Sequence, residues 1–267
     1  MFPKYGVRNL QAIVINYITC FTMGSLILGH LPFSTDTLHT AWFPYALFLS
    51  FTFITFFNVN AFTVQKVGMI ITSIFQKLSL VFPVILGIAY FGEAGSYYKY
   101  AGIILSIVSI VLINMSDKTD SDIVAKIKKY WFWPFIVLAG SGIIELVLFY
   151  IQETEKVVDG GLAFVSTLFF LAGCWGIIFM LFTRRLNIKK QDFIAGVSLG
   201  LPNFFSIYLI ILGLDQGWDG SVLFPLNNLG TIVFASIIGI LIFKEKLIRA
   251  NYIGLLCALI AVGLISI

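Results

Sequence analysis

The chain has 267 residues, of which 59% are apolar and 11% are charged, and its formal net charge is +4 at neutral pH. Together with a mean hydropathy of +0.98, these values exclude an ordinary soluble domain and predict a membrane protein with several spans. The three cysteines, Cys20, Cys174 and Cys257, form no CxxC or metal-binding spacing, and we interpret them as small apolar helix residues.

Apolar runs of about 20 residues recur along the chain, and each is long enough to cross a hydrocarbon core about 30 Å thick. We predict nine transmembrane helices, at about 9–30, 41–62, 69–91, 97–115, 130–151, 161–183, 191–213, 222–243 and 248–267. The longest charged segment between spans is residues 116–129, which separate the fourth span from the fifth.

The distribution of basic residues predicts the orientation of these spans. When the loops are assigned to alternating sides, one side receives fourteen Lys and Arg residues and the other receives Lys99 and Lys156. Since Lys and Arg accumulate in cytoplasmic loops, the side with fourteen is expected to face the cytoplasm.

The sequence also contains an internal repeat. When residues 76–115 are aligned without gaps on residues 228–267, an offset of 152 positions, eleven of forty residues are identical. The identities that apolar composition alone does not explain are the pairs Gly87/Gly239, Glu93/Glu245, Tyr100/Tyr252 and Gly102/Gly254. Such self-similarity at a fixed offset indicates a duplication.

The two copies are predicted to run through the membrane in opposite directions. Five crossings separate the third span from its counterpart, the eighth, so the repeats have inverted topology, as in many secondary transporters. We assign residues 1–115 to a first repeat of four spans, 116–129 to a linker, and 130–267 to a second repeat of five spans. The span at 130–151 has no counterpart, so we expect that the first helix of a five-plus-five arrangement is missing from this sequence.

The residues near Glu93 resemble a known family. A helix ending in FPVILGIAYFGE, followed nine residues later by Gly102, and two inverted repeats are similar to the drug/metabolite transporter superfamily, within it to the EamA-type permeases. The second copy departs from the pattern, because Ala235 replaces Pro83 and Lys244 replaces Gly92. The resemblance implies a carrier of small metabolites in a bacterial cytoplasmic membrane.

Two charged residues lie deep within predicted spans. At 1.5 Å per residue, Lys77 lies about 12 Å and Glu145 about 22 Å from the cytoplasmic ends of their helices. Charges at such depth are costly unless they are paired or hydrated, so they mark candidate functional positions. Lys77 is a candidate partner for anionic substrate groups and Glu145 a candidate proton or cationic-substrate site. The alternatives are snorkelling of Lys77 and a structural hydrogen bond from Glu145.

Polar and aromatic residues supply the other candidates for a substrate pathway. Gln76 and Asn228 occupy equivalent positions in the two repeats, and inversion places them at similar depths from opposite faces. Asn203 follows Pro202, a proline that can break its helix. The alternatives are hydrogen bonds between helices for the amides and packing for the aromatic rings. The remaining candidates are Asn16, Tyr17, Asn58, Asn227, Tyr208 and Trp175.

The conserved spacing of glycine and glutamate in the two copies has a structural interpretation. We expect Gly87, Gly102, Gly239 and Gly254 to let helices approach closely. Glu93 and Glu245 end their helices at the water interface, where we expect each to cap a helix or to pair with Lys or Tyr.

No HExxH, Walker or dinucleotide-binding motif is found in the sequence, and His30 and His39 flank one short loop. We therefore predict no enzyme, cofactor, metal or nucleic-acid partner. The prediction is a secondary transporter in membrane lipid, an exporter of small polar metabolites such as amino acids, with protons as the coupling ion. The substrate class depends on the resemblance alone. The alternatives are a carrier of lipid-linked or nucleotide sugars, and a non-transporting structural or lipid-scrambling protein.

Overall fold

The computed structural model describes residues 6–33, 36–93, 95–115, 129–154, 161–184, 186–241 and 248–265. Helices make up the regular secondary structure of these residues, including a short 3-10 helix, Asp36–His39. The α-helices are α1 (Asn9–Leu28), α2 (Phe43–Val67), α3 (Met69–Leu78), α4 (Val81–Ala89), α5 (Tyr97–Ile113), α6 (Phe132–Glu153), α7 (Leu162–Phe182), α8 (Lys190–Asp215), α9 (Gly220–Leu241) and α10 (Arg249–Ile265).

All nine predicted spans correspond to helices. In the described ranges, seven helical segments are long and apolar enough to cross a membrane, and α3 and α4 together supply one of them, Ile71–Ala89. The other two spans, α5 and α10, are apolar helices of 17 residues, about 26 Å long, at the short end of the range for crossing a bilayer. The protein is therefore a polytopic all-α membrane protein.

The third span tightens at Ser79 and Leu80, between α3 and α4, where both residues keep right-handed helical φ and ψ angles and their N–H groups donate to the carbonyls of Gln76 and Lys77, three residues earlier. We call this tightened turn the break between α3 and α4. Proline has no N–H, and its ring clashes with the carbonyl group four residues earlier, which for Pro83 is that of Ser79. The Ser79 carbonyl instead accepts a bond from the Phe82 N–H at 3.0 Å. Pro202, a proline that can break a helix, does not do so here, because α8 continues through it.

The helices group into two compact units. Unit 1 consists of residues 1–61 and 147–217, and unit 2 consists of residues 62–146 and 218–267. Each unit combines segments of both predicted repeats, so the units do not coincide with the repeats, whose boundaries stay a prediction. The linker residues 116–128 and the loop with Lys244 and Glu245 lie outside the described residues.

In unit 2, α5 packs against α10 through two equivalent glycine contacts. A Cβ atom on Gly102 would come within 2.7 Å of Ile265, and one on Gly254 would come within 2.8 Å of the Ile113 side chain. Gly254 and Ile265 are the positions 152 residues after Gly102 and Ile113. The contact is thus made twice, and the two helices run antiparallel, as the inverted repeat predicts. The expected packing role of Gly102 and Gly254 is confirmed.

Unit 1 contains the same kind of reciprocal contact. A Cβ atom on Gly24 would overlap Ser166 of α7, and one on Gly176 of α7 would overlap Val14 of α1. Gly176 and Ser166 follow Gly24 and Val14 by 152 residues. The helices α1 and α7 therefore pack antiparallel, and their reciprocal contacts are related by the same 152-residue offset as those of α5 and α10 in unit 2. In both units the backbones approach closely because these positions have no side chain.

Asn251 holds the end of α5 against the start of α10. Its side chain is 5% exposed, and its Nδ2 lies 3.1, 2.7 and 2.9 Å from the carbonyl oxygens of Leu112, Ile113 and Met115. Its Oδ1 accepts the Ile248 N–H at 2.9 Å. The last carbonyl groups of a helix have no partner within the helix, and Asn251 supplies one for α5.

We expect Asn251→Ala to destabilise the folded protein by about 1–3 kcal/mol, because buried carbonyl groups lose their donor. Thermal unfolding of the purified protein in detergent measures this as a lower Tm. Asn114→Ala is the matched control, since the Asn114 amide donates to the Ile110 carbonyl of its own helix. Equal shifts for the two variants would contradict the role assigned to Asn251.

Candidate functional site

A chain of hydrogen bonds joins the two deep charged residues in unit 2. Lys77 Nζ on α3 donates to Asn228 Oδ1 on α9 at 3.1 Å. Asn228 Nδ2 donates in turn to Glu145 Oε1 on α6 at 3.2 Å. Asn228 is 3% exposed, so this contact lies inside the unit. The structure therefore places an amide between the two charges.

The break between α3 and α4 supplies a second contact to the carboxyl group of Glu145. The Ser79 hydroxyl, fully buried, lies 2.9 Å from Glu145 Oε2 and 2.7 Å from the carbonyl oxygen of Gln76. One hydroxyl proton serves one acceptor at a time, so Ser79 can switch between them. The Ser141 hydroxyl, one turn before Glu145, lies 3.4 Å from the same Gln76 carbonyl. Gln76 therefore borders this site through its backbone.

One close contact between α4 and α6 lies beside Ser79 and Glu145. A Cβ atom on Gly142 would overlap the ring of Phe82, so only a glycine admits that ring at this point of α6. Gly142 precedes Glu145 by three residues, nearly one helical turn, and Phe82 follows the break at Ser79. The helix break and the glycine together determine the position of the Glu145 carboxyl group.

We call Lys77, Ser79, Glu145 and Asn228 the charged cluster. It presents an ammonium group and a carboxyl group that share one amide bridge. A lysine ammonium has three N–H donors, of which Asn228 takes one, and a carboxylate has about four acceptor positions. The charged cluster can therefore bind a positive and a negative group of one small molecule.

Three other predicted residues meet in unit 1. Asn203 Nδ2 on α8 donates to Asn16 Oδ1 on α1 at 3.3 Å and lies 3.7 Å from Cys20 Sγ. The Cys20 thiol donates to the Gly200 carbonyl at 3.2 Å. Tyr17 is fully buried and its ring stacks on Phe169 with 5.9 Å between centroids. Among the residues that the structure describes, its hydroxyl has no hydrogen-bond partner.

The remaining predicted residues make hydrogen bonds within a single helix or contacts between aromatic rings. The Asn58 amide donates to the Ile54 carbonyl of its own helix at 2.7 Å. Trp175 contacts Phe51 edge to face at 5.5 Å, and Tyr208 stacks on Phe204 at 5.8 Å. Asn227, half-buried beside Asn228, accepts the Thr231 hydroxyl at its backbone carbonyl. The ring contacts of Trp175 and Tyr208 are packing contacts, whereas the bonds at Asn58 and Asn227 lie within single helices and are not the bonds between helices named as their alternative.

Sequence reasoning missed Ser79, Ser141 and Cys20. Pro83 was a usable signal for Ser79, because the residue four positions before a proline is where a helix opens. Ser141 precedes Glu145 by one turn of the same helix, and Cys20 follows Asn16 by one turn, so helical spacing pointed to both. Serine and cysteine are common in membrane helices as small residues, so their presence at these three positions does not by itself indicate a site.

The apolar helices, with Lys77 and Glu145 joined between them by the Asn228 amide, identify an integral membrane protein with a polar site inside the membrane. Residues 1–115 match the sequence model of the EamA-like transporter family. The resemblance to the EamA type of the drug/metabolite transporter superfamily is thereby confirmed over residues 1–115, and this match and the membrane-helical fold support a transporter.

Two further comparisons cover nearly the whole chain. An uncharacterized protein of Haemophilus influenzae is 28% identical over 274 aligned positions, which cover 97% of this chain and 89% of the relative. A solved crystal structure superposes with a TM-score of 0.75 over 97% of this chain and 87% of the other, at 12% identity. At that identity the likeness shows the fold.

Proposed function

We propose that the protein is a secondary transporter that exports small zwitterionic metabolites such as amino acids by alternating access, with protons as the coupling ion. The single observation that carries the proposal is the bridge from Lys77 through Asn228 to Glu145. The proposal gives Lys77 the substrate carboxylate, Glu145 the substrate ammonium group or a proton, and Asn228 a bond to either.

The balance of charge supports a zwitterion over a nucleotide sugar. A diphosphate carries several negative charges and is bound in proteins by clustered Arg and Lys or by a metal ion. The charged cluster combines one lysine with one carboxyl group, and a zwitterion matches both signs. A substrate carboxylate can accept from the Lys77 N–H groups that do not bond Asn228, and a substrate ammonium group can donate to the remaining acceptor positions of Glu145.

The break between α3 and α4 supports alternating access. Transporters with inverted repeats commonly place their sites at interrupted helices near the middle of the membrane, where irregular backbone is available for substrate. Ser79 lies in the break, and Lys77 precedes Ser79 by two residues, in the last turn of α3. A change in the break would therefore move two members of the charged cluster at once.

Counterflow in proteoliposomes tests this proposal. A panel of labelled amino acids is screened with the wild type, together with an anionic nucleotide sugar, and the accepted compound is then measured with variants. We expect Asn228→Ala to raise the half-saturating concentration by about tenfold or more, because bonds to charged groups contribute about 1.5–3 kcal/mol. Thr231→Ala, on the same helix with an exposed intrahelical bond, is the matched control and should resemble the wild type. Counterflow of the nucleotide sugar alone would refute the zwitterion assignment.

A further inference from the structure

Glu93 binds the first turn of α9 with both oxygens of its carboxyl group. Oε1 accepts the Gly220 N–H at 2.8 Å, and Oε2 accepts the Ser221 N–H at 3.0 Å and also the Ser221 hydroxyl. The first N–H groups of a helix have no partner within the helix, and the helix dipole favours a negative charge there. Glu93 therefore caps α9, a helix that begins about 130 residues later in the chain. A capping role was one of the two roles expected for Glu93 from the sequence.

The turn after α4 is built to place this carboxyl group. Gly92 has φ +71°, which favours glycine, and the Glu93 N–H returns to the Gly87 carbonyl at 3.0 Å. A Cβ atom on Gly87 would lie 2.7–2.9 Å from the atoms of the Glu93 carboxyl group. Gly87 thus makes room for Glu93, which corrects the expectation that it serves the approach of two helices.

A second contact, from the first turn of α5, is made to Asp219, the residue before α9. Lys99, 5% exposed, donates from Nζ to Asp219 Oδ2 at 2.9 Å. Ser96 caps α5 by accepting the Lys99 N–H at 3.0 Å, which fixes the first turn that carries this lysine. The start of α9 is therefore held on both sides of Gly220 by charged groups of residues 93–99.

The helix that Glu93 caps is the one that carries the bridge of the charged cluster. Asn228 follows Gly220 by eight residues, about 12 Å along α9. α9 is thus held at its first turn by Glu93 and two turns later by Lys77 and Glu145 through Asn228. A rotation or shift of α9 that breaks the first contact changes the geometry of the second, because α9 is one continuous helix from Gly220 through Pro225 to Asn228.

We infer that Glu93 is a positioning residue for substrate binding, which fixes the rotation of α9 and so places the Asn228 amide between Lys77 and Glu145. The inference that Asn228 then serves a substrate depends on the proposed function. The mechanical part, that the Glu93 cap sets the position of Asn228, does not.

The mechanical part is tested without transport. The three native cysteines are replaced, Asn228→Cys is introduced as a reporter, and its alkylation by a small thiol reagent is timed in purified protein. We expect Glu93→Ala to raise the alkylation rate by about tenfold or more, the equivalent of about 1.4 kcal/mol, since a buried position becomes accessible. Asp36→Asn, which neutralises an exposed carboxylate of unit 1, is the control and should leave the rate unchanged.

Glu93→Gln and Ser221→Ala remove only part of the contacts, so they test the inference with a folded protein if Glu93→Ala does not fold. Both should give intermediate rates. An alkylation rate equal to that of the reporter protein in every folded Glu93 variant would overturn the inference, whether or not the protein transports any tested compound.

The functional part is tested by combining Glu93→Gln with Asn228→Ala in counterflow. If Glu93 acts through Asn228, Glu93→Gln raises the half-saturating concentration in the wild-type background and has little further effect beside Asn228→Ala. Equal effects in the two backgrounds would refute action through Asn228. Failure of the proposed function looks different, because every protein, including the wild type, would then lack counterflow while the alkylation rates still differ.

Discussion

Glu145→Gln is expected to abolish accumulation driven by a pH gradient while substrate counterflow continues. Glutamine keeps the size of the side chain and one oxygen, which can accept either the Asn228 or the Ser79 bond, but it cannot bind or release a proton at any accessible pH. Accumulation coupled to protons needs a group that takes a proton on one side and releases it on the other. In proteoliposomes with an imposed gradient, accumulation should fall to the level of protein-free liposomes.

The two assays on one purified preparation separate coupling from folding. A glutamate with a purely structural role would lower the yield of folded protein and leave the pH profile per folded molecule unchanged. Ser79→Ala is the matched comparison, because it removes a bond to the same carboxyl group and keeps the titrating group. If Glu145→Gln retained the wild-type pH profile in both assays, Glu145 would not be the coupling residue.

The second large effect is expected for Lys77→Met, which should strongly lower both counterflow and accumulation when the substrate is below its half-saturating concentration. Methionine matches much of the length of the lysine stem, so packing is largely kept, while the ammonium group assigned to the substrate carboxylate is lost. The Asn228 carbonyl oxygen also loses its donor. Loss of a bond to a charged group predicts a half-saturating concentration raised by about tenfold to a hundredfold.

Lys190→Gln is the control for Lys77→Met, because Lys190 is exposed at the start of α8 and should tolerate the loss of its charge. Lys77→Arg gives an intermediate test, since arginine keeps the charge but has a planar group that does not reproduce the ammonium geometry. Counterflow at the wild-type level in Lys77→Met would leave Lys77 with a structural role.

The position of each span was predictable because long apolar runs separated by polar turns are a direct consequence of bilayer thickness. The charged positions Lys77 and Glu145 were predictable for a related reason, that buried charge is costly and therefore uncommon. Their connection was not predictable. It depends on how α3, α6 and α9 pack side by side, and depth along each separate helix gives no information about the rotation that turns Asn228 toward both.

The two prolines show the limit of local reasoning. Pro83 opens its helix at Ser79, whereas α8 continues through Pro202 with α1 packed against it at Gly196 and Gly200. A Cβ atom on Gly200 would lie 2.8 Å from the Asn16 carbonyl. Neighbouring helices can hold a proline-containing segment in helical form. Which proline interrupts its helix is therefore decided by packing partners that lie far away in the sequence.

The interleaving of early and late segments in each unit has a consequence for biogenesis. α1 leaves the ribosome long before its packing partners α7 and α8, since Leu162 follows Leu28 by 134 residues. At about 5–20 residues per second, that delay is on the order of ten seconds. During this time Asn16 lacks Asn203, Gly24 lacks Ser166, and Lys77 in the nascent second unit lacks Asn228. The insertion machinery must hold these helices in lipid as unpaired, partly polar segments until synthesis of the second half delivers the partners.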